Sequence, residues 1–174
     1  DEANLRHRQK TGKKSNPGYG IIDAQSVKTQ YASEDRGIDG GKKVKGHKRH
    51  IIVDTLGNLL HVSVHAANQS DTKSACPVFE RCLEKYPSIL AFSGDAGYRG
   101  TAVKFVDETL DMTLHISMKI KDKWAVLPKR WVVERTFSRL NNFRRLAKSF
   151  EILTATAENV VRIAMLKLTV AKCV

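Results

Sequence analysis

Two runs rich in β-branched and apolar residues, Lys48–Asp54 and Leu59–Ala66, are separated only by Thr55-Leu56-Gly57-Asn58. Such a gap, with glycine in it, predicts a β-hairpin. In the second run Leu60, Val62, Val64 and Ala66 alternate with Leu59, His61, Ser63 and His65. That is the pattern of a half-buried antiparallel strand. The period then changes from two to 3.6. Across Asp71–Tyr86, Ala75, Val78, Phe79, Cys82, Leu83 and Tyr86 fall on one helical face, and Pro87 ends it. Pro77 is tolerable only near that helix's first turn.

The remaining elements follow the same rules. Tyr19–Val27 reads as a short strand, Ile89–Phe92 as a short buried strand, and Thr101–Leu110 as a short helix. Met112, Leu114, Ile116, Met118 and Ile120 alternate with polar residues and predict another strand. A link containing Pro128 leads to a helix over Trp131–Glu151, and Thr154–Cys173 is the last helix, with Thr154 or Thr156 as its cap. Hairpin strands first and alternating helices and strands after predict an α/β domain, a mixed sheet of five strands flanked by helices. Residues 31–47 read as a glycine- and lysine-rich loop. Gly41 and Gly46 have the spacing of a phosphate-binding loop, but His47-Lys48 follows instead of Lys-Ser/Thr, which excludes a nucleoside-triphosphate site.

With 174 residues, one domain is expected, spanning residues 19–174. Residues 1–18, polar and basic, read as a flexible arm or the remnant of a missing N-terminal segment; the first residue is Asp1, not Met. Lys and Arg number 30 against 18 Asp and Glu, a net charge of +12. That balance points to a polyanionic partner, nucleic acid before membrane. No apolar run approaches a membrane span of about 18 residues. Cys76, Cys82 and Cys173 have no ligand spacing and read as small apolar residues in a reducing compartment.

The long helix carries the chemistry. Val133, Phe137, Leu140, Phe143 or Ala147, and Phe150 form a core stripe over about five turns. Beside it run Glu134, Ser138, Asn141, Arg145 and Lys148, with Arg135, Arg139 and Arg144 flanking. A solvated face explains most such stripes, yet a lone carboxylate at the head of a basic face suggests metal plus phosphate. Two more acids stand out. Asp23 sits in an apolar strand, a poor place for Asp, and Asp95 follows the buried strand, where parallel sheets place their sites. Singly, each has an ordinary explanation as a strand-end, turn or helix-dipole acid. Asp54 and Asp71 are accounted for by the hairpin turn and a helix start. Three converging carboxylates beside basic residues suit hard cations, Mg²⁺ or Mn²⁺. Two such ions about 3.5–4 Å apart can clamp the attacking and leaving oxygens of a phosphoryl displacement. The histidines, including His47 and His50, are expected to face solvent or phosphate rather than zinc.

The segments IIDAQSVKT, GGKKVKGHKRHIIVDTLGNLLHVSVHAANQSD, GDAGYRG and WVVERTFSRLNNFRRLAKSFE resemble bacterial insertion-sequence transposases of the DDE type, in the insertion-sequence-five-like branch. The resemblance runs from about Tyr19 to the C-terminus. It implies a ribonuclease-H-like core, Asp23, Asp95 and Glu134 as the metal-binding catalytic triad, and no large insertion between the last two. It also implies action at element ends and on target DNA, a homodimer or higher assembly, and a bacterial cytoplasmic, nucleoid-associated location. Of the tyrosine–arginine–glutamate–lysine signature in related transposases, Arg130 matches the arginine, while Leu127 and Asn141 stand at the tyrosine and lysine positions. Arg145 or Lys148 would then stand in for the lysine. The expected backbone contacts are Lys45, Lys48, Arg49, Arg99, Arg130, Arg135, Arg139, Arg145 and Lys148. A stand-alone metal-dependent nuclease and a non-catalytic DNA-binding remnant are the alternatives.

Overall fold

The computed structural model describes residues 1–117 and 130–174. Among them lie six strands, β1 Tyr19–Lys28, β2 Gly37–Asp39, β3 Val44–Val53, β4 Leu59–Ala66, β5 Ala91–Gly94 and β6 Thr113–Ile116. The α-helices are α1 Glu2–Lys10, α2 Asp71–Lys85, α3 Thr101–Glu108, α4 Arg130–Asn141 and α5 Thr154–Cys173. Met118, Ile120, Leu127 and Pro128, which entered the sequence reading, lie outside the described residues. No helix among the described residues is long and apolar enough to cross a membrane.

The strands form one mixed sheet in the order β2-β3-β1-β5-β6, with β4 also paired to β3. Short turns give the antiparallel pairs of β3 with β2 and β4, and a longer link that contains β2 lets β1 pair antiparallel with β3. The α2 crossover allows β5 to lie parallel to β1, and α3 does the same for β6 beside β5. Pleating then sorts side chains into two cores. Ile21, Ile51, Val53, Val62 and Val64 meet α4 and α5 on one face. Ile22, Ile52 and Phe92 meet α2 and α3 on the other. A bulge at Ile52/Val53 turns Leu60 to the second face while Val62 stays on the first.

The hairpin turn is built as expected. Asp54 accepts from the backbone N–H groups of Leu56 and Asn58, both at 2.9 Å, and Gly57 takes the left-handed conformation at φ +80°. The sheet gains a strand over the expected five, because part of the 31–47 loop folds as β2 and β3 begins at Val44. Gly46 belongs to this pairing and to no phosphate loop: a Cβ there would lie 2.0 Å from the Val27 carbonyl oxygen.

Residues 1–18 are not a free arm. They contain α1, which packs on α5. Arg8, buried, pairs with the fully buried Asp54 at 2.6 Å, and His7 Nδ1 lies 2.7 Å from Asn58 Oδ1. The hairpin turn and α1 therefore share one polar cluster. The cap of α5 also differs: Glu34 accepts from the Thr154 N–H and hydroxyl.

The five-turn helix expected to Glu151 stops at Asn141. Asn141-Asn142 is a poor helical pair because Asn competes with the backbone for hydrogen bonds. The Asn142 and Phe143 amides tighten onto carbonyls three residues back. The chain then makes a short 3₁₀ turn over Arg144–Leu146 and joins the sheet edge, where Ser149 bridges Thr29.

The buried ion pair yields a stability prediction. Arg8→Ala leaves Asp54 charged and unpaired in the interior, so unfolding in urea should show a loss of about 3 kcal/mol; a free arm would give no change. The histidines yield another. Burial holds His50 well below 6.5, lowers His65, and brings His61 down to about 4. Between pH 6.5 and 4 the unfolded chain binds protons that the folded chain refuses, so stability is full above 6.5 and falls as pH drops. Denaturation midpoints should fall steadily from pH 7 to 5, with a shallower slope in His61→Gln.

Candidate active site

The strand β1 carries Asp23 on the face covered by α4, one pleat beyond core Ile21. Asp23 Oδ1 accepts from the Ala24 N–H at 2.8 Å. Burial pushes its carboxyl up to about 6, the neighbouring Asp95 adds to the rise, and Arg130 and Lys42 oppose it. Asp95 follows β5, which is parallel to β1, so it leaves the sheet beside Asp23. Its Oδ1 accepts from the Gly97 N–H at 2.8 Å and caps the 3₁₀ turn Ala96–Tyr98. The Tyr98 ring packs against Gly94, and its buried hydroxyl is held far above its usual range by loss of water.

Glu134 sits in α4, one turn after Arg130. Arg130 lies between two acids: Nε is 2.8 Å from Glu134 Oε1 and Nη2 is 3.8 Å from Asp95 Oδ2. The Nε–H is not aimed at its neighbour, so this is charge contact rather than a directed hydrogen bond. Asp23 and Glu134 line one open cleft of about 590 Å³, together with Lys42, Gln25, Ser138 and Asn141. A second cleft of about 350 Å³ shares Gln25, Ser26 and Asn141 with the first and continues to Lys28 and Lys148.

The three acids thus reach one edge of the sheet, linked in pairs. Among the described residues no group of three His, Cys, Asp or Glu side chains stands close enough to hold one ion. The donor set nonetheless fits a hard cation. The available atoms are carboxylate oxygens, and one guanidinium faces two of the three groups, leaving net negative charge for a cation.

Several expected phosphate contacts are corrected by burial. Arg49 is almost wholly buried and donates to the Leu146 and Lys148 carbonyls at 2.8 and 3.3 Å. Loss of water lowers its pKa to about 10, which leaves it charged near neutrality. Lys48 is buried and pairs with Asp71 at 2.6 Å. Neither side chain is free for a phosphate. Both occupy β3, which has strands on each side and cores on both faces. Histidines expected at the surface are buried too: His47 meets Ser149 and Glu34, and His50 meets His65.

Lys45 and Arg99 are exposed, and Arg135 stacks over Trp131 at 4.2 Å. Arg139 is half-buried. Arg145 is exposed but pairs with Glu151. Because α4 ends at Asn141, Arg145 and Lys148 leave its face, although Lys148 still borders the second cleft. The sequence reading overlooked Lys42 and Gln25. Lys42 lies at a hairpin tip whose Gly40-Gly41 signal was visible, whereas nothing in the sequence marks Gln25 beyond its place two residues after Asp23.

A comparison with curated proteins found no match. Among solved structures, the catalytic core domain of BIV integrase superposes with a TM-score of 0.56 at 13% identity, over 88% of this chain and 84% of that one. The HTLV-2 integrase catalytic core domain in complex with magnesium, in its trimeric form, gives 0.51 at 17% identity, over 88% and 86%. A simian T-cell lymphotropic virus intasome in complex with PP2A regulatory subunit B56 gamma gives 0.55 at 12%, over 86% of this chain and 48%, about half, of that one. At these identities the likeness is one of fold, which is ribonuclease-H-like. The profile of the family described as "Transposase DDE domain" matches residues 14–167, and the chain belongs to that family.

Proposed function

We propose that this is the catalytic domain of a DNA transposase that cuts a phosphodiester at an element end and joins the freed 3′-hydroxyl to target DNA. The reading is supported by Arg130, which stands between Asp95 and Glu134, and by the open cleft that Asp23 and Glu134 line. Asp23, Asp95 and Glu134 would hold Mg²⁺ or Mn²⁺, two ions in this reading, which supply Lewis-acid activation and charge neutralisation at the reacting phosphate.

The chain's own residues have separate tasks. Arg130 keeps Asp95 and Glu134 compensated and oriented before a substrate arrives. Lys42 brings positive charge to the first cleft and Lys148 to the second, while exposed Lys45 and Arg99 and half-buried Arg139 would hold the backbone farther out. Phosphate contacts of this kind give position and affinity without reading sequence. The motif set supports the insertion-sequence-five-like branch. Pairing of two element ends supports a dimer or larger assembly on DNA, and a DNA substrate in bacteria supports a nucleoid-associated location.

Asp95→Asn should reduce Mg²⁺-dependent cleavage of element-end DNA by more than about 100-fold, beyond the 10–100-fold typical of losing an outer-shell partner. Salt-sensitive DNA binding should persist. Cleavage by this variant at the wild-type rate would overturn the assignment. A pre-cut 3′-hydroxyl end incubated with supercoiled plasmid should give joined product; a stand-alone nuclease would only nick the plasmid.

A further inference from the structure

The clefts on the two sides of Gln25 and Asn141 form one groove interrupted by a side-chain contact. Gln25 Nε2 donates to Asn141 Oδ1 at 3.1 Å, joining β1 to the end of α4. Both residues line the cleft that holds Asp23 and Glu134, and both line the cleft that reaches Lys28 and Lys148. The closed contact is incomplete. Gln25 Oε1 is buried without a hydrogen-bond partner among the described residues. A buried acceptor left unmet is unfavourable, which offsets part of the cost of breaking the contact when Gln25 swings out to a better partner.

We infer that the Gln25–Asn141 amide pair is a specificity-determining latch that opens to read a DNA base, adenine by its hydrogen-bonding pattern, within a few nucleotides of the scissile phosphate. This rests on the transposase reading of the acids. With the latch open, the Gln25 carbonyl oxygen supplies an acceptor and the Asn141 amide nitrogen a donor. Adenine offers the matching N6 donor and N7 acceptor, the pair that Asn and Gln recognise. Gln25 stands two residues from Asp23 on the same strand face, about 7 Å along β1. That is roughly two base steps of a duplex at 3.4 Å each. The lysines at the far end would hold the following phosphates and keep the base in register.

The test uses the full chain and a duplex library with randomised base pairs beside a 3′-hydroxyl end. The bound fraction is sequenced in EDTA, so that no chemistry enters the readout, and product formation in Mg²⁺ is scored separately. Wild-type protein should enrich adenine at one of the first three positions. Gln25→Ala and Asn141→Ala should flatten that preference by about fivefold or more, as expected for a base contact of 1–3 kcal/mol. Asn141→Asp, which replaces a donor by an acceptor, should move the preference toward cytosine. A purely structural tie between β1 and α4 would weaken binding to all sequences alike and leave the base preference where it was. A flat wild-type profile, or variants that keep the adenine preference, would overturn the inference. A preference erased by the variants, with no product in Mg²⁺, would support the latch and count against the transposase reading alone.

Discussion

The parallel pairing of β1 with β5 is the constraint on which the site depends. Tyr19, Gly20 and Ile21 pair with Ala91, Phe92 and Ser93, so the residues just beyond them in each strand emerge side by side. Asp23 and Asp95 are neighbours for that reason alone. Parallel strands cannot be joined by a tight turn, and the intervening chain answers with a hairpin and α2 before returning. The hydrophobic face of α2 does more than cover the sheet. It fixes the crossover, and with it the separation of two carboxylates far apart in sequence.

The third acid arrives by a different route. Glu134 is set by the packing of Val133, Phe137 and Leu140 against the sheet, which turns the adjoining side of α4, with the edge of Phe137, toward the cleft. One helical turn earlier, Arg130 reaches both Asp95 and Glu134. Two of the three carboxylates therefore share one guanidinium. The burial that raises Asp23 stands outside this pairing and leaves one carboxyl poorly compensated.

Much of this was legible in the sequence. The Asp54–Asn58 turn, α2, α5 and the placement of Asp95 after a buried strand follow from local periodicity and turn chemistry. So does Asp23, because an Asp in an apolar strand requires a reason. What stayed hidden is tertiary. Lys48 and Arg49 read as phosphate contacts and His47 and His50 as facing solvent or phosphate, yet β3 is the strand to which β1, β2 and β4 all pair, and all four side chains are buried. The end of α4 was equally opaque. Apolar spacing continues past Asn141, but the Leu146 and Lys148 carbonyls are taken by Arg49 and the chain becomes a sheet edge. A helical pattern cannot announce that a remote guanidinium will claim its carbonyls.

That inward arginine also changes how the chain behaves as a polyelectrolyte. The count of 30 Lys and Arg takes Arg8, Lys48 and Arg49 on the same footing as the cations at the rim. All three point into the molecule and are occupied by Asp54, Asp71 or backbone oxygens. Screened by protein rather than by water, they displace no counterions when a polyanion docks. The ion-release stoichiometry of DNA association is therefore set by the outward lysines and arginines alone, and an estimate drawn from composition would run too high.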